Sequence, residues 1–227
     1  MTALVNSVSS LWNSSIGKKT VVAVTGLVFI GFLLAHLGGN MLIFAGQEAF
    51  DEYAHMLHHL GHGSVIWIAR IVLLSSLILH VVATISLVKQ NRAARPPYAH
   101  DATIGASKSS QIMIWSGLTI LSFIIFHILH FTVRTSSELA KLGAESPYQM
   151  VIAGFNNWAV VIFYAIAITL LCSHLSHGFS SAFQTLGFRS TKTRDLLDKA
   201  GKAYSLLLLI GFLSVPISIL IFGYGSN

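Results

Sequence analysis

The chain has 227 residues, 54% of them hydrophobic and only 10% charged, with a formal net charge of +6 and a mean hydropathy of +0.71. A water-soluble domain carries about 25% charged residues, so this composition excludes one and predicts an all-α integral membrane protein, a single unit over 1–227. The basic residues fall in short segments between apolar runs, where they set orientation and do not form a nucleic-acid surface. The single cysteine, Cys172, excludes both an internal disulfide and a haem attached through C-x-x-C-H.

Residues 1–19 read as a polar or amphipathic lead-in ending in Lys18 and Lys19, without the apolar stretch of a cleavable signal. The first predicted span covers 20–45 and contains His36 within AHLGGN. A polar interfacial loop follows over 46–63, with Glu48, Asp51, Glu52, His55, His58, His59 and His62. The second span, 64–88, has Arg70 near its start and His80 near its end. A basic loop with Lys89, Arg92, Arg95 and Lys108, interrupted by Pro96 and Pro97, leads to the third span at 112–133. That span holds His127 and His130, three apart and therefore on one helix face. The connection from Thr135 to Met150 contains Pro147, which no helix is expected to run through. The fourth span, 151–183, contains His174 and His177. Arg189, Lys192, Arg194, Lys199 and Lys202 precede the fifth, 203–222, where Pro216 predicts a kink. No low-complexity segment and no internal repeat stands out.

Lysine and arginine number 2 in the lead-in, 4 after span two and 5 after span four, against none after span one and two after span three. The positive-inside rule then predicts five transmembrane helices with the N-terminus cytoplasmic and the C-terminus on the outer side.

Histidines at membrane depth are costly without a partner, which makes them functional candidates. His36 lies 17 residues past Lys19, about 25 Å up an outward-running helix. His127 lies seven residues before Arg134, about 10 Å short of the outer end. His80 comes nine residues before Lys89, about 13 Å from the inner end of an inward-running helix. His174 falls late in span four, also toward the inside. The histidines thus sort into an outer and an inner pair, each drawn from two helices. Spacing alone does not say which member of His127/His130 or of His174/His177 belongs to its pair. One zinc would need its ligands to converge on a point, whereas two planar cofactors with two axial imidazoles each suit separate depths. Haem is the candidate, since helical bundles build cofactor sites from facing helices. Small residues beside the histidines (Gly38, Gly39 and Gly178) would let a macrocycle approach. Arg70 either snorkels or pairs with a haem propionate.

The segments AHLGGN around His36, EAF at 48–50, AHML from Ala54, ILHVV around His80, GLTILSFIIFH ending at His127, and FYAIAITLLCSHLSHG over 163–178 resemble a known family. They are similar to the five-helix, di-haem cytochrome b membrane subunits of succinate:quinone and quinol:fumarate oxidoreductases. The resemblance runs through Gly187, and span five is matched by position alone. It implies two haem b groups, with His36 and His127 as axial ligands of the outer and His80 and His174 of the inner. His130 and His177 are not ligands in that family. It further implies a multi-pass subunit of a prokaryotic cytoplasmic membrane, surrounded by lipid. A flavoprotein subunit with covalent FAD and an iron–sulfur subunit would sit on its cytoplasmic face. Succinate chemistry would lie on those partners, with no catalytic residue here, and menaquinone or ubiquinone would be the membrane substrate.

The family's quinone-site residues do not map onto this sequence. Two haems at different depths imply an exchange site near the outer surface, and His130 with one of Glu48, His55 or His59 is expected to line it; the rival is a site on the cytoplasmic side, beside the inner haem and the iron–sulfur subunit. The alternatives are a di-haem cytochrome b serving a nitrate reductase or hydrogenase, and a haem-free transporter or proton channel. The apolar settings FIIFHIL and SLILHVV argue against the latter.

Overall fold

The computed structural model describes residues 12–93 and 108–225. All regular structure among them is helical, and five helices are long and apolar enough to cross a membrane. Arg95, Pro96 and Pro97 of the expected basic loop lie outside the described residues.

Helix α1, Ser15–Met41, starts at Ser14, whose Oγ accepts from the Gly17 N–H at 2.9 Å. The span therefore begins earlier than hydropathy alone places it, and Lys18 is buried in its first turn. A 3-10 turn, Leu42–Ala45, ends it. The segment read as a loop over 46–63 is in fact mostly helix: α2 occupies Gln47–His59. Its apolar residues, Ala49, Phe50, Tyr53, Ala54 and Leu57, recur at three- and four-residue intervals, so one face can lie against the bundle. Left-handed backbone at Gly61 and His62 (φ 59° and 56°), with Gly63 at 83°, then turns the chain into α3, Ser64–Ala93.

Helix α4, Lys108–His127, continues as a π-helical segment over Ile128–Val133 and stops at left-handed Arg134. The connection after Arg134 holds two short helices, α5 (Ser137–Glu145) and α6 (Pro147–Phe155). They break at Pro147 as the sequence predicts: Pro occupies the first turn of α6, where its missing N–H costs nothing, and Ser146 Oγ accepts from the Gln149 N–H. Residues 151–155, assigned to the fourth span by hydropathy, belong to α6. The span proper is α7, Trp158–Thr185, opened by Asn157 Oδ1 accepting from the Ala159 and Val160 N–H groups at 2.9 and 3.3 Å. Helix α8, Arg194–Phe222, starts nine residues before the predicted span five and contains Pro216.

Helix α7 is central, packing on α1, α4 and α8, while α3 packs chiefly on α1 and α8 lies against α1 and α7. Leu37, Ala167, Ile168, Leu208, Val215 and Ile219 fill the space where α1, α7 and α8 meet. The Tyr204 hydroxyl ties α8 to α1 by donating to the Ile30 carbonyl at 2.6 Å. The outer face of α3 carries exposed Trp67, Ile68, Ile71, Leu74 and Ile78. Such a face needs no protein cover against hydrocarbon, because lipid tails are as apolar as leucine.

Candidate functional site

Hairpins α1–α3 and α4–α7 each contribute one histidine to either end of the bundle. At one end His36 of α1 meets His127 of α4, ring centres 5.9 Å apart and planes at 81°. Phe32 stacks on His36 at 5.2 Å and 13°, and Phe212 of α8 closes a further side at 5.8 Å. Asn40 donates to the His36 carbonyl at 2.7 Å, with its amide over the ring at 3.4 and 3.5 Å from the two nitrogens. His127 sits among Phe123, Phe131 and Tyr164. The Tyr164 hydroxyl, in a side chain only 3% exposed, lies 3.2 Å from Nδ1 of both His127 and His130.

At the other depth His80 of α3 and His174 of α7 lie within electrostatic reach of each other, and no ring contact joins them. Each is met by a hydroxyl from the first helix of its own hairpin: Thr25 Oγ1 is 2.9 Å from His80 Nδ1, and Ser116 Oγ 3.2 Å from His174 Nδ1. A methyl placed on Gly26 would lie 3.8 Å from His80 Cε1, and one on Gly117 would lie 3.8 Å from His174 Cε1.

This correspondence exposes an internal repeat that the sequence reading misses. TGLVFIGFLLAH over 25–36 aligns without gaps on SGLTILSFIIFH over 116–127, with a hydroxyl, then Gly-Leu, and a histidine eleven residues after the hydroxyl in both. Only Gly, Leu, Phe and His are identical between the two copies. The rest is apolar exchange, which any two membrane helices share, so the signal emerges only once the hydroxyls and glycines are seen on the same targets. Thr25, Ser116 and Tyr164 are the site residues that sequence reasoning overlooked.

The Thr25–His80 contact also sets the register of the antiparallel pair α1/α3. Eleven residues on from Thr25 is His36, and eleven back from His80 is Ala69, so Arg70 is level with the His36 pair. The Arg70 guanidinium stands 5.0 Å over the Trp67 ring.

The residues expected at the outer exchange site divide into two groups. His130 lies under α6, where a Cβ on Gly154 would come within 3.4 Å of its ring and 2.6 Å of Phe131. Glu48, His55 and His59 are exposed on α2, the two imidazoles stacked at 3.9 Å. No hydrogen bond or ring contact joins these three to His130 among the described residues. Helix α6 links the groups instead: Asp51 of α2 accepts from Ser146 Oγ at 2.6 Å and from the Tyr148 N–H at 2.8 Å. Gln47 adds bonds to Ser146 and Gln149. Burial pushes the Tyr148 phenol above its usual range, with Tyr224 beside it. His177 is exposed at the opposite end, on a cavity of about 290 Å³ lined by Ser176, Ser180, Arg189, Asp198 and Lys202 among others.

The residues present fit a planar group held between two imidazoles. With metal–nitrogen bonds of about 2 Å, two imidazoles on one metal have centres about 6 Å apart, and the His36–His127 spacing matches. Methyls on Gly31, Gly38 and Gly178 would meet nothing within 4 Å, which leaves space beside the pairs. The buried Thr84 hydroxyl, one turn past His80, has no partner among the described residues. No group of three metal-ligating side chains converges among the described residues.

Fold and site together define a multi-pass membrane bundle that pairs histidines from facing helices at two depths. The chain is similar to the succinate dehydrogenase cytochrome b558 subunit of Bacillus subtilis (strain 168), 26% identical over 169 residues, spanning 73% of this chain and 77% of that one. The comparison bears out the resemblance carried by the histidine motifs, and with it a multi-pass protein of a prokaryotic plasma membrane. No family model and no solved structure matches the chain.

Proposed function

We propose that this chain is the membrane-anchor cytochrome b subunit of a succinate:quinone oxidoreductase, with two bis-histidine haem b sites. The observation that carries the reading is the His36–His127 pair at 5.9 Å, from two different helices, repeated at a second depth by His80 and His174. When bound, each haem would supply one-electron transfer. His36 and His127 hold the outer group, and His80 and His174 the inner one. Arg70, level with His36, offers a cation to a propionate of the outer group. Phe32, Phe123 and Phe212 keep water from the outer imidazoles.

For His127 to use Nε2 as a ligand, its Nδ1 must carry the proton and donate it to Tyr164. The single Tyr164 proton is then free for His130 Nδ1, which leaves an N–H on His130 Nε2. His130, α2 and α6 together make the outer end the proposed quinone exchange site, with Glu48, His55 and His59 as the exposed proton-carrying groups. The N-terminus is cytoplasmic in this reading. The basic end, Lys89–Lys108 and Arg189–Lys202, then receives the iron–sulfur subunit, which joins the flavoprotein subunit where succinate reacts. Crosslinks from that subunit should fall on these segments; crosslinks confined to α2, α5 and α6 would reverse the orientation.

The haem assignment is tested by spectra of the full complex in membranes. His36→Ala or His127→Ala should remove one haem, and His80→Ala or His174→Ala the other, each leaving about half the b-type absorbance. His130→Ala and His177→Ala should retain both. Four assembled histidine variants that all keep two haems would sink the assignment.

A further inference from the structure

The two hydroxyls of the internal repeat do more than fill space, and their own hydrogen bonds say how. A hydroxyl has one proton to give. Thr25 Oγ1 donates it to the Val21 carbonyl at 2.7 Å, with the Val22 carbonyl at 3.2 Å, and Ser116 Oγ donates to the Met113 carbonyl at 3.1 Å. With that proton on the backbone carbonyl, the nearer partner of each oxygen, the oxygen is left to accept from the imidazole beside it. In that arrangement Nδ1 of His80 and of His174 carries the proton, which leaves Nε2 of both rings bare. Gly26 and Gly117, each next in sequence to its hydroxyl, face the edge of the same imidazole, where a Cβ would stand in ordinary contact at 3.8 Å.

We infer that Thr25 and Ser116 are a matched pair of positioning residues: from equivalent places in the two hairpins, they lock both inner histidines in the Nδ1–H tautomer and aim both Nε2 lone pairs at one inner ligand. This rests on the haem reading of the inner pair. An Nδ1–H that donates to a hydroxyl makes the imidazole a stronger donor through Nε2, which favours the oxidised metal. At the outer pair only His127 meets a hydroxyl, that of Tyr164, which comes from outside the repeat. The Asn40 amide lies over the His36 ring and spends its short bond on the backbone, and Tyr164 is shared between two histidines. The hydroxyls thus act on the inner group alone.

The test is a redox titration of the b-band absorbance, with low-spin EPR, on the assembled complex in membranes carrying Thr25→Val or Ser116→Ala. Each variant should keep both haems and raise the inner midpoint by about threefold in its equilibrium constant, about 30 mV at 59 mV per tenfold for one electron. The double variant should reach about tenfold, with the outer midpoint unmoved. Thr25→Ser and Ser116→Thr, which restore the hydroxyl, should behave as the unaltered chain. If Thr25→Val loses the inner haem while Thr25→Ser keeps it, the positioning role is supported by occupancy instead of potential. An unchanged inner midpoint in both single variants overturns the inference, as does a Thr25→Ser variant indistinguishable from Thr25→Val. His80→Ala separates the two layers: retention of the inner haem there refutes the haem reading itself, whereas its loss beside an unshifted Thr25→Val refutes only the role of the hydroxyls.

Discussion

Removing the Tyr164 hydroxyl is the most informative single change at the His36–His127 end, because one oxygen serves two imidazoles. Tyr164→Phe keeps the ring, so its edge-on contacts with Phe123 at 5.0 Å and Phe155 at 4.9 Å survive. What is lost is a pair of bonds to His127 and His130, both 3.2 Å and so at the long end of the range. Side-chain hydrogen bonds between membrane helices average about 0.6 kcal/mol, so the pair is worth about 1 kcal/mol. A penalty of about 3 kcal/mol or more would require both ring nitrogens to be left fully desolvated, and the only partly buried His130 escapes that. For a chain of this size, about 1 kcal/mol lowers the unfolding midpoint by about 2–4 °C. The assay is thermal unfolding of the complex in mild detergent, followed by circular dichroism, on Tyr164→Phe, His130→Ala and the double variant. The double variant should lose less than the sum of the singles, because Tyr164 and His130 share a bond. Strict additivity, or a Tyr164→Phe midpoint equal to that of the unaltered chain, would refute the shared hydroxyl.

Asp51→Ala should cost about 2 kcal/mol by removing a carboxylate that accepts two hydrogen bonds at the start of α6. Asp51→Asn should cost less, and protease cleavage rates at 146–157 in the folded complex would report the loosening. Gly117→Leu should drive a branched side chain into the His174 ring, which a methyl would already approach to 3.8 Å, and deplete the inner haem while sparing the outer. A spectrum with both haems intact would show that this wall of the site can yield. Variants His130→Ala, Glu48→Gln, His55→Ala and His59→Ala should keep both haems and succinate oxidation with a soluble dye, while at least His130→Ala lowers quinone turnover. Normal quinone kinetics in all four would move the exchange site to the opposite end, where the His177 cavity lies.

The five spans and the sorting of their histidines into two depths were legible in the sequence because membrane burial imposes the same demand at every residue, while the choice within His127/His130 and His174/His177 came from the family resemblance. Apolar runs mark the helices, and an imidazole among them stands out. The amphipathic helix α2 was not legible in this way. Its mean composition is polar, and its apolar face becomes meaningful only against α6, 97 residues away along the Asp51–Tyr148 bond. The start of span four failed for the opposite reason. Residues 151–155 are as apolar as a span, but Asn156 and Asn157 interrupt the helix, and Asn157 caps a new one. Hydropathy measures transfer from water and is blind to that change of direction. Tyr164 was hidden because a tyrosine in FYAIAITLL reads as ordinary packing until two imidazoles are found on its hydroxyl.

The repeat explains why the two ends of the bundle differ in design. The first helix of each hairpin carries a hydroxyl-glycine step and reaches a histidine eleven residues later, so the His80–His174 level has equivalent walls and equivalent hydrogen bonds on its two sides. Past His36 and His127 the copies diverge. His36 is followed by Leu-Gly-Gly-Asn and the 3-10 turn into α2, whereas His127 opens the π-helical segment that carries His130 to Tyr164. A π-helical turn holds one residue more than an α-helical one, so it shifts the helix face presented by each side chain after it. Both connections on this side, α2 in the first hairpin and α5–α6 in the second, are helical and mutually bonded through Asp51 and Ser146. A site that only holds a cofactor needs two matched walls, which duplication supplies. Under the proposed reading, exchange with a substrate from the membrane requires asymmetry, an opening and proton-carrying groups on one side, and the departures from the repeat fall at the end proposed for it.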